Sequence, residues 1–344
     1  MKIGIIILNW NDAEVTQQCL RAVFGWDSIN SAIIVVDNAS SDDSADSIVA
    51  AYPEINLVRS EINRGFAGGN NLGIVKAQAL GCDAILLLNS DAEVSESGVA
   101  TLISDLDNTH AGWGHPDSSK PDETHNMEPG CPHPEAAPII IGPAIEEKSV
   151  SGSVLTCGGR DIGKYSRTRI TCTRRAAPDA FGRGSSLASF GGTGWPTLQE
   201  LSEVSYVPGT VLLVPSSVFE KVGLLDEDYF FSGEVADFCA RAHQQGIDSV
   251  IDMSVTAHHG DENEEKPLRG SLYIYYTLRN RFLYVSKHGG NAKFWLKSMW
   301  TIKAFCMFGL SIIKLDFSRS RAVALGLIDG WQEKWGNRND QFGV

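Results

Sequence analysis

Three short runs constrain this chain more than anything else in it. Residues 3–8 (Ile-Gly-Ile-Ile-Ile-Leu), 32–36 (Ala-Ile-Ile-Val-Val) and 84–88 (Ala-Ile-Leu-Leu-Leu) are of strand length and apolar at almost every position. A strand with no polar face must be covered on both sides, as in a parallel sheet sandwiched between helices. The intervening segments supply such helices, around residues 15–20 and 70–80, and residues 55–58 offer a shorter strand. Asn9, Asp37 and the Asn89/Asp91 pair each fall just past a predicted strand. Sheets of this kind bind ligands at the carboxyl ends of their strands, so three such coincidences predict a site there.

The 344-residue sequence as a whole narrows the functional class. Its net charge is −13, with 43% hydrophobic residues, which excludes wholesale disorder and argues against nucleic-acid binding through overall charge. Seven scattered cysteines, none spaced C-x-x-C, form neither a disulfide framework nor a zinc ribbon and point to a reducing compartment. The apolar run at residues 3–8 is too short for an export signal, so a cytoplasmic protein is expected. Charge is uneven: between Lys266 and Arg321 eleven cationic residues face only Asp316. That basic third predicts an anionic surface or a diphosphate as its partner.

Regular patterning lapses in two places. Residues 107–138 hold six prolines and few aliphatic residues, and read as an exposed insertion; His115, His125, Cys131 and His133 within it lack regular metal-ligand spacing. Residues 152–194 are rich in Gly, Ser, Thr and Arg and read as irregular or hairpin structure. Strand patterning resumes at 204–214, broken by Pro208-Gly209-Thr210; helices are predicted at 216–222 and 233–245, and a last strand at 247–255.

Asn89 and Asp91, two apart in extended chain, present oxygens on one side and can share a hard cation. Residues 63–71 (Asn-Arg-Gly-Phe-Ala-Gly-Gly-Asn-Asn) look like a phosphate loop, yet match neither G-x-G-x-x-G nor the P-loop pattern. These motifs, in order with Leu8-Asn9-Trp10-Asn11, Val36-Asp37-Asn38, Val207-Pro208-Gly209-Thr210, Gly233-Glu234, His258-His259-Gly260 and Tyr275-Tyr276-Thr277-Leu278-Arg279-Asn280, resemble the inverting family 2 glycosyltransferases. The rhamnosyltransferase-like branch is the most similar, and the resemblance spans about residues 1–290 outside the insertion.

The resemblance implies an α/β fold of the glycosyltransferase-A type: a mixed, mainly parallel sheet with helices on both faces, followed by C-terminal helices. Residues 1–265 would be the catalytic domain and 266–344 a basic helical region. A nucleotide-sugar donor would lie at the strand ends, with Trp10 against the base and Asp37 hydrogen-bonded to it. Asn9, Asn38, Asn63, Arg64, Gly65, Asn70 and Asn89 would complete the nucleotide pocket. Asp91, assisted by His258, would hold Mg²⁺ or Mn²⁺, and Arg279 and Arg281 would face the diphosphate or the acceptor. The implied role is transfer of a sugar, with rhamnose from a dTDP donor as the leading candidate, to a glycan or lipid-linked oligosaccharide in cell-surface polysaccharide synthesis.

One position departs from the family. The usual Gly-Glu-Asp-x-Asp reads Gly233-Glu234-Val235-Ala236-Asp237, so Val235 replaces the Asp that serves as base. Attack by an acceptor hydroxyl needs a proton acceptor on the face opposite the leaving group. Glu234 is the expected replacement, with Asp237 the alternative; Arg241 at i+4 offers Asp237 a structural partner instead. Two other readings stay open: an inactive, glycan-binding relative, and a sugar nucleotidyltransferase, though the Gly-rich lysine loop expected of the latter is missing. Residues 293–315 combine aromatic bulk with Lys297, Lys303 and Lys314, which suits either a membrane-interface helix on the inner face of the cell membrane or a helix packed on the domain.

Overall fold

The computed structural model describes residues 1–109, 138–149, 152–164, 169–172, 201–260 and 267–343. Most of the expected insertion, with its three histidines and Cys131, lies outside the described residues. The chain opens with β1 (Ile3–Asn9), α1 (Ala13–Val23), β2 (Ser31–Asp37), α2 (Ser44–Ala51), β3 (Asn56–Arg59), α3 (Gly65–Ala79) and β4 (Ala84–Asn89). It continues through β5 (Ala92–Glu93), α4 (Glu96–Thr109), β6 (Ile140–Ser149), the hairpin strands β7 (Gly152–Gly159) and β8 (Arg169–Cys172), and β9 (Leu201–Val204). Then come β10 (Val211–Pro215), α5 (Ser216–Val222), α6 (Glu234–His243), β11 (Ser249–His259), α7 (Pro267–His288), α8 (Lys293–Ile313) and α9 (Phe317–Trp331).

The fold is mixed α/β, with a sheet ordered β3-β2-β1-β4-β10-β6-β11-β5. β1 to β4 run parallel, β10 enters antiparallel between β4 and β6, and β11 lies parallel to β6. Burial alternates as a doubly covered sheet requires. Ile5, Ile7, Leu86, Leu88 and Leu213 join one core with α1 and α4. Ile6, Ile85, Leu87 and Leu212 join a second with α3, α5 and α6. Each of these strand side chains is at most 2% exposed, which is why the sequence runs are continuously apolar.

The Gly-rich segment does a different job from the phosphate loop it suggests. It is the first half of α3, five residues earlier than the predicted start, and its glycines let the helix lie close to β1. A Cβ at Gly69 would sit 2.5 Å from Leu8 Cδ1. The predicted strand at 204–214 is likewise two strands, β9 and β10, separated by the Pro208-Gly209-Thr210 turn. Cys157 is disulfide-bonded, a departure from the reduced chain expected, whereas Cys19, Cys82, Cys239 and Cys306 are free.

The C-terminal helices are fastened to the sheet domain rather than strung after it. α7, α8 and α9 share a core of Leu278, Phe282, Val285, Trp300, Ala304 and Val323. From α7, Asn280 Nδ2 donates to the carbonyls of Tyr229, Phe231 and Ser232 (3.0, 2.8 and 2.6 Å), clamping the loop that leads into α6. Within that loop Phe230 and Ser232 adopt positive φ (60° and 71°), a cost sustained by these bonds.

Candidate active site

A cleft of about 470 Å³ opens at the carboxyl ends of the parallel strands. Asn89, Ser90 and Asp91 line it after β4, Pro208 to Thr210 before β10, Ser232 to Ala236 at the start of α6, His259 at the end of β11, and Asn280 and Arg281 from α7. Residues separated by some 190 positions thus meet in one place because β4 and β11 end, and the antiparallel β10 begins, on the same side of the sheet.

The residues expected to hold the donor nucleotide gather on the neighbouring strand ends. Asn9 and Asp37 are paired in register on β1 and β2, and Asn9 Nδ2 donates to Asp37 Oδ1 (3.0 Å) while its Oδ1 accepts from Thr16 (2.8 Å). Asn38 Nδ2 donates to Asn63 Oδ1 (3.2 Å) and to the Gly65 carbonyl (3.0 Å), and its Oδ1 accepts from the Arg64 amide (2.9 Å). Asn38 and Asn63 therefore shape the turn into α3. Gly65 carries a φ of +67° there, and a Cβ would lie 2.1 Å from the Phe230 carbonyl oxygen. Asn70 is buried and donates back to the Phe66 carbonyl (2.9 Å), so its amide serves its own helix. The neighbouring Asn71 makes the long-range tie, to both the carbonyl and the amide of Leu225 (2.8 and 3.0 Å). Arg64 lies 3.6 Å from Glu227, and Trp10 is 47% exposed just past β1.

Two expected residues sit elsewhere. His258 and His259 occupy successive positions of a strand that runs four residues beyond its predicted end, and so point to opposite faces. His259 Nε2 stands 3.3 Å from Asp91 Oδ1 in the cleft, whereas His258 Nδ1 faces Glu146 (3.3 Å) and is absent from the cleft lining. The histidine able to assist Asp91 is His259. Arg279 is 0% exposed: its guanidinium donates to the carbonyls of Asp228, Tyr229 and Gly336 and to Asn280 Oδ1 (2.7–3.0 Å). Those bonds use four of its five N–H groups, and its side chain is buried outside the cleft lining, where a diphosphate cannot reach it. Arg281 does line the cleft, where its NH1 donates to the Ile162 carbonyl (2.7 Å) and its guanidinium lies 4.1 Å from the Trp300 ring. Burial pushes the Arg281 guanidinium down to about 10, so it is still cationic at neutral pH.

The two carboxylates of α6 have opposite environments. Asp237 is fully buried; it accepts from Arg241 Nε (2.8 Å) and Tyr229 (3.2 Å) and pairs with His288 Nε2 (2.8 Å). Burial raises its carboxyl, but His288 and Arg241 outweigh that and hold it below its ordinary value. Glu234, first residue of the helix, lines the cleft with Oε2 buried and, among the described residues, without a hydrogen-bond partner. Burial, reinforced by the negative charge of Asp237, pushes its carboxyl up to about 7 despite a backbone hydrogen bond acting the other way.

The donor chemistry at Asp91 and His259 fits a divalent ion of the Mg²⁺ or Mn²⁺ type: one hard carboxylate, one imidazole, and an open side toward the cleft. Among the described residues no three His, Cys, Asp or Glu groups converge, so further ligands would come from substrate oxygens. Sequence reasoning missed His259, Asn71 and the Arg281–Trp300 contact. The first was within reach of strand alternation; the last joins elements whose packing no local pattern encodes.

Comparison with known proteins agrees with this geometry. Residues 4–160 match the description "Glycosyl transferase family 2". The chain is 24% identical over 282 residues to the low-salt glycan biosynthesis hexosyltransferase Agl10 of Haloferax volcanii, covering 82% of this chain and 74% of that protein. It is 22% identical over 266 residues to the dTDP-rhamnosyl transferase RfbF of Shigella flexneri, covering 75% and 72%. Among solved structures, GalNAc-T7 with UDP, GalNAc and Mn²⁺ shares the fold at a TM-score of 0.57 and 13% identity, covering 97% of this chain and 56% of that one. The mannosyltransferase PcManGT of Pyrobaculum calidifontis, in complex with GDP-Man and Mn²⁺, does so at 0.52 and 10%, covering 96% and 87%. Residues 4–160 thus match glycosyl transferase family 2, and the chain has the fold that GalNAc-T7 and PcManGT share.

Proposed function

We propose that this protein is an inverting transferase that moves a sugar from a nucleoside-diphosphate donor to a hydroxyl of a glycan or lipid-linked acceptor, with Glu234 as the base. The observation that carries this reading is the unpartnered Glu234 oxygen, held near neutrality in the cleft that also contains Asp91 and His259. The donor nucleotide lies along Asn9, Trp10, Asp37 and the turn at Asn63 to Gly65, which leaves its diphosphate toward Asn89 and Asp91. Asp91 and His259 would hold a divalent cation, which neutralises the charge gathered by the departing diphosphate. Arg281 adds a fixed positive charge on the cleft wall. Glu234 takes the proton of the attacking hydroxyl as the sugar passes through an oxocarbenium-like state. Val235, in the place of the family's usual base, contributes an apolar wall that helps keep Glu234 dry. Among donors, dTDP-rhamnose is the first to try, supported by the similarity to RfbF.

The test is a thermal-shift panel of nucleotide-sugars with Mn²⁺, since a specific ligand stabilises the folded state by mass action. A product assay with the stabilising donor follows. Release of nucleoside diphosphate, lost in Glu234→Gln, supports the reading. Pyrophosphate release would identify a nucleotidyltransferase, and donor binding without turnover under any acceptor an inactive relative.

A further inference from the structure

Helix α8 is built inside out for a helix lying on a soluble domain. At 3.6 residues per turn its cations Lys293, Lys297 and Lys303, and the capping Lys314, all fall within about 60° of Trp300, which faces the protein. Lys297 is buried against Glu333 (3.3 Å), and Lys303 Nζ lies 4.2 Å from the Trp300 ring. The side turned away from the protein carries Phe294, Trp295, Ile302, Phe305 and Ile313, each 64–78% exposed, and no charge at all. The apolar surface continues around the turn into α9 through Leu315 and Phe317 (72% and 67% exposed). Water disfavours such a face, about six turns of helix long in aromatic and aliphatic bulk, far beyond the scattered exposed apolar residues of ordinary surfaces.

We infer that this face inserts into the surface of an anionic lipid bilayer, so that the acceptor reaches the cleft from the membrane. Charge selects this occupant over a second copy of the chain. Lys314 and Arg319, both exposed, flank the apolar surface at the turn between α8 and α9, where lipid phosphates would meet them, and a symmetrical pairing would set two such cationic turns against each other. The helix lies on the bilayer and does not cross it. Gly290–Ile313 is long and apolar enough to span, but its inner side is fastened to the catalytic domain, where Trp300 Nε1 donates to the Gly163 carbonyl (2.7 Å). That same Trp300 ring packs on Arg281, which lines the cleft, so one side chain separates the lipid-facing helix from the site. A lipid-linked acceptor can keep its anchor in the bilayer while its sugar enters the cleft; this last step rests on the transferase reading above.

The experiment is co-sedimentation of the full chain with phosphatidylcholine vesicles, with and without phosphatidylglycerol, at low and high salt. Wild-type protein should bind the anionic vesicles in a salt-sensitive manner. The double variant Trp295→Glu/Phe305→Glu should bind about tenfold more weakly or worse, with an unchanged melting temperature. Because these side chains are exposed the fold should tolerate them; Trp295→Ser/Phe305→Ser is the milder pair if it does not. Lys314→Glu/Arg319→Glu should lose the phosphatidylglycerol-dependent part by a similar factor. No sedimentation with anionic vesicles, binding unaffected by the apolar variants, or a dimer in solution dissociated by Phe305→Glu would each overturn the inference. Vesicle binding needs no donor, so its failure is separable from a failure of sugar transfer.

Discussion

His259 Nε2 stands 3.3 Å from Asp91 Oδ1 where β11 pairs with β5, and the adjacent His258 points away to Glu146. Two histidines side by side in sequence are therefore chemically unequal. Mutation of His259 to Ala should raise the Mn²⁺ concentration needed for half-maximal donor binding by about 10- to 100-fold, the range seen when a metal site loses a supporting group. Asp91→Asn should do at least as much, and His258→Ala should leave the titration where it was. Thermal shift against Mn²⁺ at fixed donor reads all three. A response at His258 with none at His259 would remove the proposed ligand pair.

Arg279 and Arg281 likewise separate into fold and site. Replacing Arg279 by Ala removes four hydrogen bonds in a buried region and takes this donor from the Gly336 carbonyl and the Asn280 amide oxygen, at a cost of about 3 kcal/mol or more. Denaturant melts should show this loss directly. Arg281→Lys keeps a charge but gives up the planar contact with Trp300 at 4.1 Å and the fixed direction of the guanidinium. It should raise the KM of transfer while changing stability by about 1 kcal/mol or less.

Gly65 tests the turn that shapes the donor side. Gly65→Ala should cost about 2 kcal/mol or more, because a left-handed φ is combined with a Cβ 2.1 Å from the Phe230 carbonyl oxygen. Gly81 has the same φ of +67° with nothing within 4 Å of its missing Cβ, so Gly81→Ala isolates the backbone penalty alone. Equal destabilisation by the two in urea would mean that the loop around Phe230 yields, and that the contact does not set the turn.

The parallel half of the sheet was legible because its signal is local. Residues 84–88 can be covered only from both sides, and Ala84, Ile85, Leu86, Leu87 and Leu88 are all buried. The site was partly legible for the same reason, since Asn9, Asp37, Asn89 and Asp91 mark strand ends. What escaped depends on partners distant in sequence. Arg279 looks like a solvated or diphosphate-facing cation on a basic helix, until the carbonyls of Asp228, Tyr229 and Gly336 close around it. His259 was lost through a strand end placed four residues short, and whether residues 293–315 face a membrane or pack on the domain stayed open because the sequence does not say which side of the helix meets the protein.

Glu234 and Asp237 should answer pH in opposite senses. Glu234 has a folded carboxyl near 7 against an ordinary 4.5, so between those values the folded protein holds a proton that the unfolded chain releases. Stability from this group is full below 4.5 and falls as pH rises through 7. Glu234→Gln should therefore be more stable than wild type by on the order of 2–3 kcal/mol at pH 8, with the difference fading toward pH 4. Asp237 is held below its ordinary 3.8 by His288 and Arg241, so its contribution is present above that value and is lost in acid. Activity follows the same proton on Glu234. Only the ionised carboxylate accepts the acceptor's proton, so kcat/KM should climb with pH on a limb centred near 7, and that limb should vanish in Glu234→Gln. A limb that survives the substitution would assign the proton transfer to another group, and a variant no more stable than wild type at pH 8 would mean that the buried oxygen is not strained by its charge.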